Sequence, residues 1–421
     1  MKKDLAVIIL AAGKSTRMKS EIPKVLHPIC GRPVLAYVLD LVKALKPARA
    51  VAVLGYKHQE VKKIVPSEIK TVIQKNLIGT ADAVKQAMPY IKGFKGTVLV
   101  LYGDTPLLKL ETIKKLLERH NQNYLGVTLL TVNLEKPGSY GRILRDEYST
   151  LCGIVEAKDA NDFQKDIKEI NTGIMCFDAA SLSHSLQKIR PDNRKKEYYL
   201  TDAIGIIYKS GGQLGSVTAE NINEALGINS RLELAEANKI MQSRIHEKFM
   251  LAGVSIVDPA STFINYGTKI GQDTIINPFT VIDNDVKIGK RCFVGPFAHL
   301  REGSCLENDV VVGNFLEIVR SRLSNKTWAK HFCYLGDSRI GAEVNIGAGT
   351  VIANFDGVNK NVTTIKDKAF IGCDTVLVSP VVVGKGARTG AGSVVTRHPK
   401  VADNSLVVGV PAKPFKSVRG K

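Results

Sequence analysis

Leu5-Ala6-Val7-Ile8-Ile9-Leu10-Ala11-Ala12-Gly13-Lys14-Ser15-Thr16-Arg17-Met18, with Pro23-Lys24 just beyond it, is the stretch that decides the fold of the amino-terminal half. It opens on a short, unbroken apolar run. Such a run suits a strand buried on both faces of a parallel sheet, although periodicity alone leaves a buried helix open. Small residues and a glycine follow, then Lys14, Ser15, Thr16 and Arg17. A small-residue turn at the end of a buried strand lets backbone N–H groups approach an anion closely, and the basic side chains add fixed positive charge. Ligands of open α/β sheets bind at strand ends of this kind. The stretch reads as a cradle for a nucleoside triphosphate. Gly13-Lys14-Ser15 is not the end of a P-loop, because that motif needs a glycine five positions earlier, where Ile8 stands. A solvated basic turn is the plainer alternative.

Outward from this stretch, strand and helix patterns alternate to about residue 230. Buried-strand candidates are Leu5 to Leu10, Val51 to Leu54, Val98 to Tyr102, Val127 to Thr131 and Gly173 to Phe177. Helical patterns, with apolar residues three and four apart, lie between them at Val34 to Leu45 and Thr112 to Arg119. Alternation of this kind predicts an α/β domain, a mostly parallel, Rossmann-like sheet with helices on both faces. Asp104, in Tyr102-Gly103-Asp104, follows one of these strands and should stand at its carboxyl end beside the opening turn.

Residues 230–252 read as one helix. Ser230 and Glu233 have capping-box spacing, Leu234, Met241, Ile245 and Phe249 share a face, and Gly253 supplies a stop. Beyond it the period changes. Aliphatic residues recur at every sixth position from Ile264 through Ile270, Ile276 and onward to Ile318. A shifted register returns at Ile340, Ile346 and Ile352, and a third at Ile365, Ile371, Leu377 and Val383. This is hexapeptide-repeat β-helix periodicity, in which each turn buries its aliphatic residue against the turns above and below. The two breaks, at 319–333 and 353–364, are expected to be inserted loops, and insertions of that sort collect on one face. The domain expectation is therefore 1–229, a linker helix over 230–252, and a β-helix over 253–421.

The net charge of +19 over 421 residues favours anionic partners. The basic residues are dispersed, and no basic motif interleaved with aromatics is present, so small anionic substrates are favoured over nucleic acid. The seven cysteines are isolated, with no C-x-x-C pair, which argues against a zinc site or a disulfide framework and suits a reducing cytoplasm. Lys2-Lys3 before an apolar run mimics a signal peptide, but Asp4 intervenes and the run leads into a charged turn. No segment reaches membrane-spanning length. The expectation is a cytoplasmic protein with no membrane partner.

The pattern L-A-A-G-x-x-T-R-M followed by P-K resembles the sugar-1-phosphate nucleotidylyltransferases. The resemblance implies that Leu10, Ala11, Ala12 and Gly13 cradle UTP, that Arg17 and Lys24 hold its triphosphate, and that Asp104 and Asn229 hold Mg²⁺. Ser15 stands where the family usually has glycine. Gln74 and Gly79-Thr80 resemble the uracil-reading segment. Tyr140-Gly141-Arg142, Glu156 and Asn171-Thr172-Gly173 resemble contacts to the N-acetylglucosamine moiety, giving Gly141, Glu156 and Asn171 as sugar-binding residues. Glu197 to Asp202 is a further shared segment.

The second half resembles left-handed β-helix acyltransferases, which typically form homotrimers. From about residue 5 to 400 the chain is similar to the bifunctional uridylyltransferase–acetyltransferases that make UDP-N-acetylglucosamine. The carrying motifs are G-P-F-A-x-L-R at Gly295 to Arg301, V-G-N-F-x-E at Val312 to Glu317, Y-L-G-D at Tyr334 to Asp337, and N-I-G-A-G-T at Asn345 to Thr350. The resemblance implies acetyl transfer from acetyl-CoA to glucosamine-1-phosphate, with His331 as base and Glu317 orienting it. Arg301, Tyr334, Asn345 and Lys360 would contact the sugar phosphate, with Asn354, Cys373 and Ala391 at the acetyl-CoA pocket. Three departures stand out. Val319 replaces a phosphate-binding lysine and, next to inward Ile318, is expected to face outward, with strand alternation sending Arg320 the other way. Phe355 replaces a tyrosine, and Gly409 an arginine that contacts coenzyme A. A sugar-1-phosphate nucleotidylyltransferase whose β-helix is only a trimerisation scaffold remains a second reading, and a protein that binds nucleic acid or an anionic surface a third.

Overall fold

Leu5–Ala11 forms β1, and all seven of its residues are buried. In the computed structural model, which describes residues 4–193, 196–397 and 400–415, the chain divides into one unit up to Ile240 and another from Met241. Lys2 and Lys3 lie outside the described residues. In the first unit the order is β1, α1 (Val34–Leu45), β2 (Arg49–Leu54), β3 (Lys70–Ile73), α2 (Thr80–Ala87), β4 (Thr97–Tyr102), α3 (Leu110–Gln122), β5 (Val127–Asn133), β6 (Glu169–Asp178), α4 (Ala179–Lys188), α5 (Asp202–Lys209) and β7 (Leu214–Thr218).

The main path of the sheet runs β7-β5-β6-β4-β1-β2-β3. All its pairings are parallel except those of β6, which runs antiparallel to both neighbours. The unbroken apolar run of β1 has a direct cause. Ala6, Ile8 and Leu10 point into one core layer with α2, α4 and α5, while Val7, Ile9 and Ala11 point into another with α1 and α3. The chain leaves β1 on one side to build β2 and β3, then returns to its other side for β4. That reversal opens a crevice beyond the carboxyl ends of β1 and β4, the switch point where such sheets bind ligands.

The Arg231–Leu251 helix, α6, runs through the division between the two units. Its start differs slightly from the expected capping box. The Glu233 backbone N–H donates to Ser230 Oγ at 3.3 Å, while the Glu233 carboxylate accepts from the backbone N–H of Asn229 at 2.7 Å.

The second unit is a left-handed parallel β-helix. Its two- to four-residue strands stack into three sheets, of ten, eight and eight strands among the described residues, parallel throughout except for the last strand of the ten, Lys413–Pro414, which runs antiparallel. The faces begin at Ser255–Ile256, Phe263–Ile264 and Lys269–Ile270 and are called here first, second and third. Inward residues stack in columns, as in Ile264 on Ile282 on Leu300 on Ile318. Each is fully buried or nearly so, which is worth roughly 1.5–3 kcal/mol per side chain.

One expected insertion is corrected. Residues 319–333 form no inserted loop, because the stacking simply continues with Leu323, Ala329 and Leu335 inward. The register shifts because Ile318 to Leu323 and Leu335 to Ile340 each take five residues, so the turns there are one residue short. Only the second break is a true insertion. Ile352 pairs with Leu377 across it, and its chain is held by an isolated bridge between Phe355 and Lys360.

Candidate functional site

The crevice beyond β1 and β4 is lined by Leu10, Ala11, Ala12, Gly13, Lys24, Gln74, Gly79, Thr80, Tyr102, Asp104, Glu197, Tyr199 and Asn229, among others. Three of these meet at one point. Lys24 Nζ is ion-paired with Asp104, and it also donates to Asn229 Oδ1 at 2.9 Å. The pair is largely withdrawn from solvent, with side chains 13% and 16% exposed. Each member is fixed by backbone. Lys24 opens a short 3-10 turn, the Asp104 carbonyl accepts from Ile228 N at 3.0 Å, and Asn229 is held at the start of α6 by Glu233. Two side-chain oxygens 125 positions apart in sequence thus address a single cation.

Ser15 is not in an ordinary conformation. Its φ of 55° and ψ of 54° are left-handed, the region in which a glycine costs nothing and another residue about 1 kcal/mol or more. The serine is strained there as a glycine would not be. Arg17 lies exposed on the following turn, Thr16–Met18, and is not among the crevice residues. Burial and the nearby Glu233 carboxylate push the Tyr140 phenol up, and the Arg17 guanidinium opposes them only slightly.

Gln74 is buried, and its amide nitrogen donates to the Gly79 carbonyl at 3.0 Å and to Asp82 at 2.8 Å. Thr80 Oγ1 accepts from Leu200 N at 2.9 Å. Gly79 has φ of 126°, and a Cβ there would stand 2.3 Å from the Tyr198 carbonyl oxygen. Gly79→Ala therefore meets both backbone strain and a backbone clash. It is expected to cost about 2–4 kcal/mol of stability and to weaken nucleotide binding, which denaturant unfolding and UTP titration check.

Gly141 and Asn171 are joined by a backbone hydrogen bond of 2.9 Å, and Asn171 Oδ1 accepts from Gly173 N at 2.9 Å. Glu156 accepts from Thr201 Oγ1 at 3.2 Å. Beside it Asp202, at the start of α5, has its carboxyl pushed up to about 6 by burial and by the charges of Glu156, Asp159 and Asp192. The unfolded value is near 3.9, so the fold prefers the protonated form. That contribution is complete at low pH and is lost as pH rises through about 6. Asp202→Asn is expected to raise the melting temperature by about 2–4 °C at pH 7.5, with the gain falling to about half near pH 5 and vanishing only below about pH 4; melts at the three pH values check it.

In the β-helix, Glu317 and Tyr334 stack outward on the second face. The Glu317 carboxylate accepts from Arg301 Nη1 at 2.9 Å and not from His331, which is exposed on the turn before Cys333. This corrects the expected Glu317–His331 pairing: a charged guanidinium on the neighbouring coil is a stronger partner than an imidazole. Val319 is a second correction. It is only 3% exposed and does not face outward, because the shortened corner tucks it under its neighbours opposite Gly336. Arg320, with φ of 47°, is not extended, so strand alternation does not set its direction.

Asn354 is buried and donates to Asp337, and Lys360 is exposed on the inserted loop. Asn345 is not brought to Tyr334, since it stands on the first face between Trp328 and Phe370. Cys373 and Ala391 are exposed on neighbouring turns that follow first-face strands, linked by Gly392 N donating to the Cys373 carbonyl at 2.8 Å. Phe355 is exposed. Gly409 has φ of 90°, a conformation an arginine would hold only under strain. Sequence reasoning named Asp337 only as a motif letter and missed its role as the hub joining Arg320 and Asn354; its place in Y-L-G-D was the one available signal. The cysteines form no disulfide among the described residues, and no described helix is long and apolar enough to cross a membrane.

Residues 7–162 match the MobA-like NTP transferase domain, and residues 267–302 match the bacterial transferase hexapeptide (six repeats). With the crevice described above, this is an enzyme of the nucleotidyltransferase class joined to a hexapeptide β-helix. The chain is 40% identical to the bifunctional protein GlmU of Geobacillus sp. (strain WCH70), over 95% of this chain and 94% of the relative. It is 42% identical to that of Thermosipho africanus (96% and 94%) and 43% identical to that of Pelotomaculum thermopropionicum (90% of each). The chain belongs to the GlmU family of bifunctional proteins.

Proposed function

We propose that the chain makes UDP-N-acetylglucosamine by transferring UMP from UTP to N-acetylglucosamine-1-phosphate, with release of pyrophosphate. Residues 1–229 carry this step, 230–252 the linking helix, and 253–421 a second activity. The observation that carries the reading is the meeting of Lys24, Asp104 and Asn229 at the switch-point crevice. The attacking sugar phosphate oxygen is already anionic, so the site needs no general base. Its residues act by positioning and by neutralising charge on the triphosphate. The backbone of Leu10 to Gly13 cradles phosphate, Lys24 and Arg17 supply positive charge, and Gln74, Gly79 and Thr80 hold the base. Gly141, Glu156 and Asn171 orient the sugar.

Asp104 and Asn229 fit Mg²⁺, a hard cation that takes oxygen ligands, since both already direct an oxygen at one cationic group. When bound, the ion would further screen charge on the phosphate oxygens. Lys24 would then turn from these two oxygens to the nucleotide.

The second activity is acetylation of glucosamine-1-phosphate by acetyl-CoA. His331 takes the proton of the ammonium, since only the free amine attacks a thioester. Arg301, Tyr334, Asn345 and Lys360 hold the sugar phosphate, with Asn354, Cys373 and Ala391 beside the acetyl-CoA. The assembly is a cytoplasmic homotrimer. Support for it comes from an exposed apolar column on the first face, including Phe293, Trp328 and Phe370, and from Phe279, Phe297 and Phe315 stacked at 4.8 and 5.0 Å along an edge. Trimerisation would also give Asn345, which is on a different face from Tyr334, a place in a site shared between copies. A β-helix serving only as a scaffold is the competing reading, favoured by the buried, uncharged Val319. Pyrophosphate release across a panel of nucleoside triphosphates and sugar-1-phosphates tests the first activity. Acetyl-CoA-dependent acetylation of glucosamine-1-phosphate tests the second, and elution volume tests the trimer.

A further inference from the structure

At the corner between the second and third faces, several polar groups gather on one carboxylate. Asp337 accepts from Asn354 and is close enough to Lys360 to feel its charge. The missing side chain of Gly336 makes room for this. A Cβ there would stand 2.7 Å from Asn354 Nδ2 and 2.8 Å from the Tyr334 hydroxyl. The same carboxylate grips Arg320 through two hydrogen bonds, from Nε at 2.6 Å and Nη2 at 2.7 Å. Three residues assigned above to the second site, Tyr334, Asn354 and Lys360, therefore lie around Gly336 and the Asp337 carboxylate, which anchors a guanidinium that the assignment leaves out.

Arg320 reaches this corner because its backbone is left-handed, in the turn that is one residue short. Asp337 engages one edge of the guanidinium. The side chain is 41% exposed, so further N–H donors are open to solvent. A planar fork of this kind matches two oxygens of a phosphate, and a carboxylate behind it keeps it in one orientation, so little freedom is lost on binding. Its neighbour Val319 is buried and apolar and cannot serve.

We infer that Arg320 is the residue that binds the phosphate of the sugar phosphate at the acetyl-transfer site, with Asp337 as its positioning residue. The inference rests on the acetyl-transfer reading given under the proposed function. A structural ion pair at the corner would give the same hydrogen bonds but no preference for phosphate.

The test uses the full-length chain, with acetylation followed by coenzyme A thiol release and inorganic phosphate as a competitive inhibitor. Arg320→Ala is expected to raise KM for glucosamine-1-phosphate, and the inhibition constant of phosphate, by about 10- to 100-fold, with kcat within about threefold. Arg320→Lys keeps the charge but not the fork and should recover part of the loss, which also guards against a misfolded alanine variant. Uridylyl transfer by the same preparations should not change. Unaltered KM and phosphate inhibition in both variants, with wild-type acetylation intact, overturn the inference alone. No acetylation by the wild-type chain refutes the parent reading, and the inference falls with it.

Discussion

Lys24→Ala is expected to lower pyrophosphate release from UTP and N-acetylglucosamine-1-phosphate by about 10²- to 10³-fold, chiefly in kcat. The argument starts from the position of the ammonium. It is bonded to Asp104 and Asn229 inside a crevice whose walls keep the pair largely from water, so its charge is weakly screened there. Charge that develops on the triphosphate during attack has few other fixed cations to meet, since Arg17 stands on an exposed turn. The fold should survive the substitution. What is lost is one partner of a polar cluster at the rim of the sheet, at a cost of about 1–2 kcal/mol. Part of that should return on adding magnesium, because Asp104 and Asn229 are then freed for the ion. Steady-state rates and thermal melts with and without magnesium check both halves. Turnover near wild type in a titrated assay would count decisively against the assignment of this crevice.

The second large effect concerns His331. His331→Gln is expected to reduce acetyl transfer to glucosamine-1-phosphate by about 10²- to 10⁴-fold in kcat while leaving uridylyl transfer untouched. The residue is exposed on a turn, so the substitution removes no packing and stability should hold. Because Glu317 is engaged by Arg301, the imidazole is not oriented through that carboxylate in this structure. The uridylyl rate measured in the same tube separates loss of a base from loss of protein. An unchanged acetylation rate would remove His331 from the chemistry and leave the scaffold reading in front.

The architecture was readable because the inward positions obey a single rule over a long run. Ile282, Leu300 and Ile318 each meet another aliphatic residue one coil away. β1 was readable for a related reason, since both its faces are covered and every position must be apolar. Where the sequence misled, a short-range rule met a local change in geometry. Alternation placed Val319 outward, but the corner is one residue short and closes over it. The left-handed backbone of Ser15 and Arg320 leaves no mark in composition. Pairings such as Arg301 with Glu317, or the gathering around Asp337, depend on which coil lies next to which. Spacing along the chain does not disclose that until the register is known. Lys24, Asp104 and Asn229 were named from resemblance, and their convergence is a matter of topology.

The loop between Ile352 and Ile365 shows how loosely this architecture is tied to its own chemistry. On either side of it the aliphatic columns resume in phase, Ile352 beneath Leu377 and Ile340 beneath Ile365, as though nothing had intervened. A coil asks only that its neighbours present the right surface, and it is indifferent to how the chain travels between corners. Asn354, Phe355 and Lys360 therefore ride on an excursion that can be lengthened, trimmed or rewritten without renegotiating the stack. Specificity in such a protein can drift quickly while the column beneath it stays unchanged.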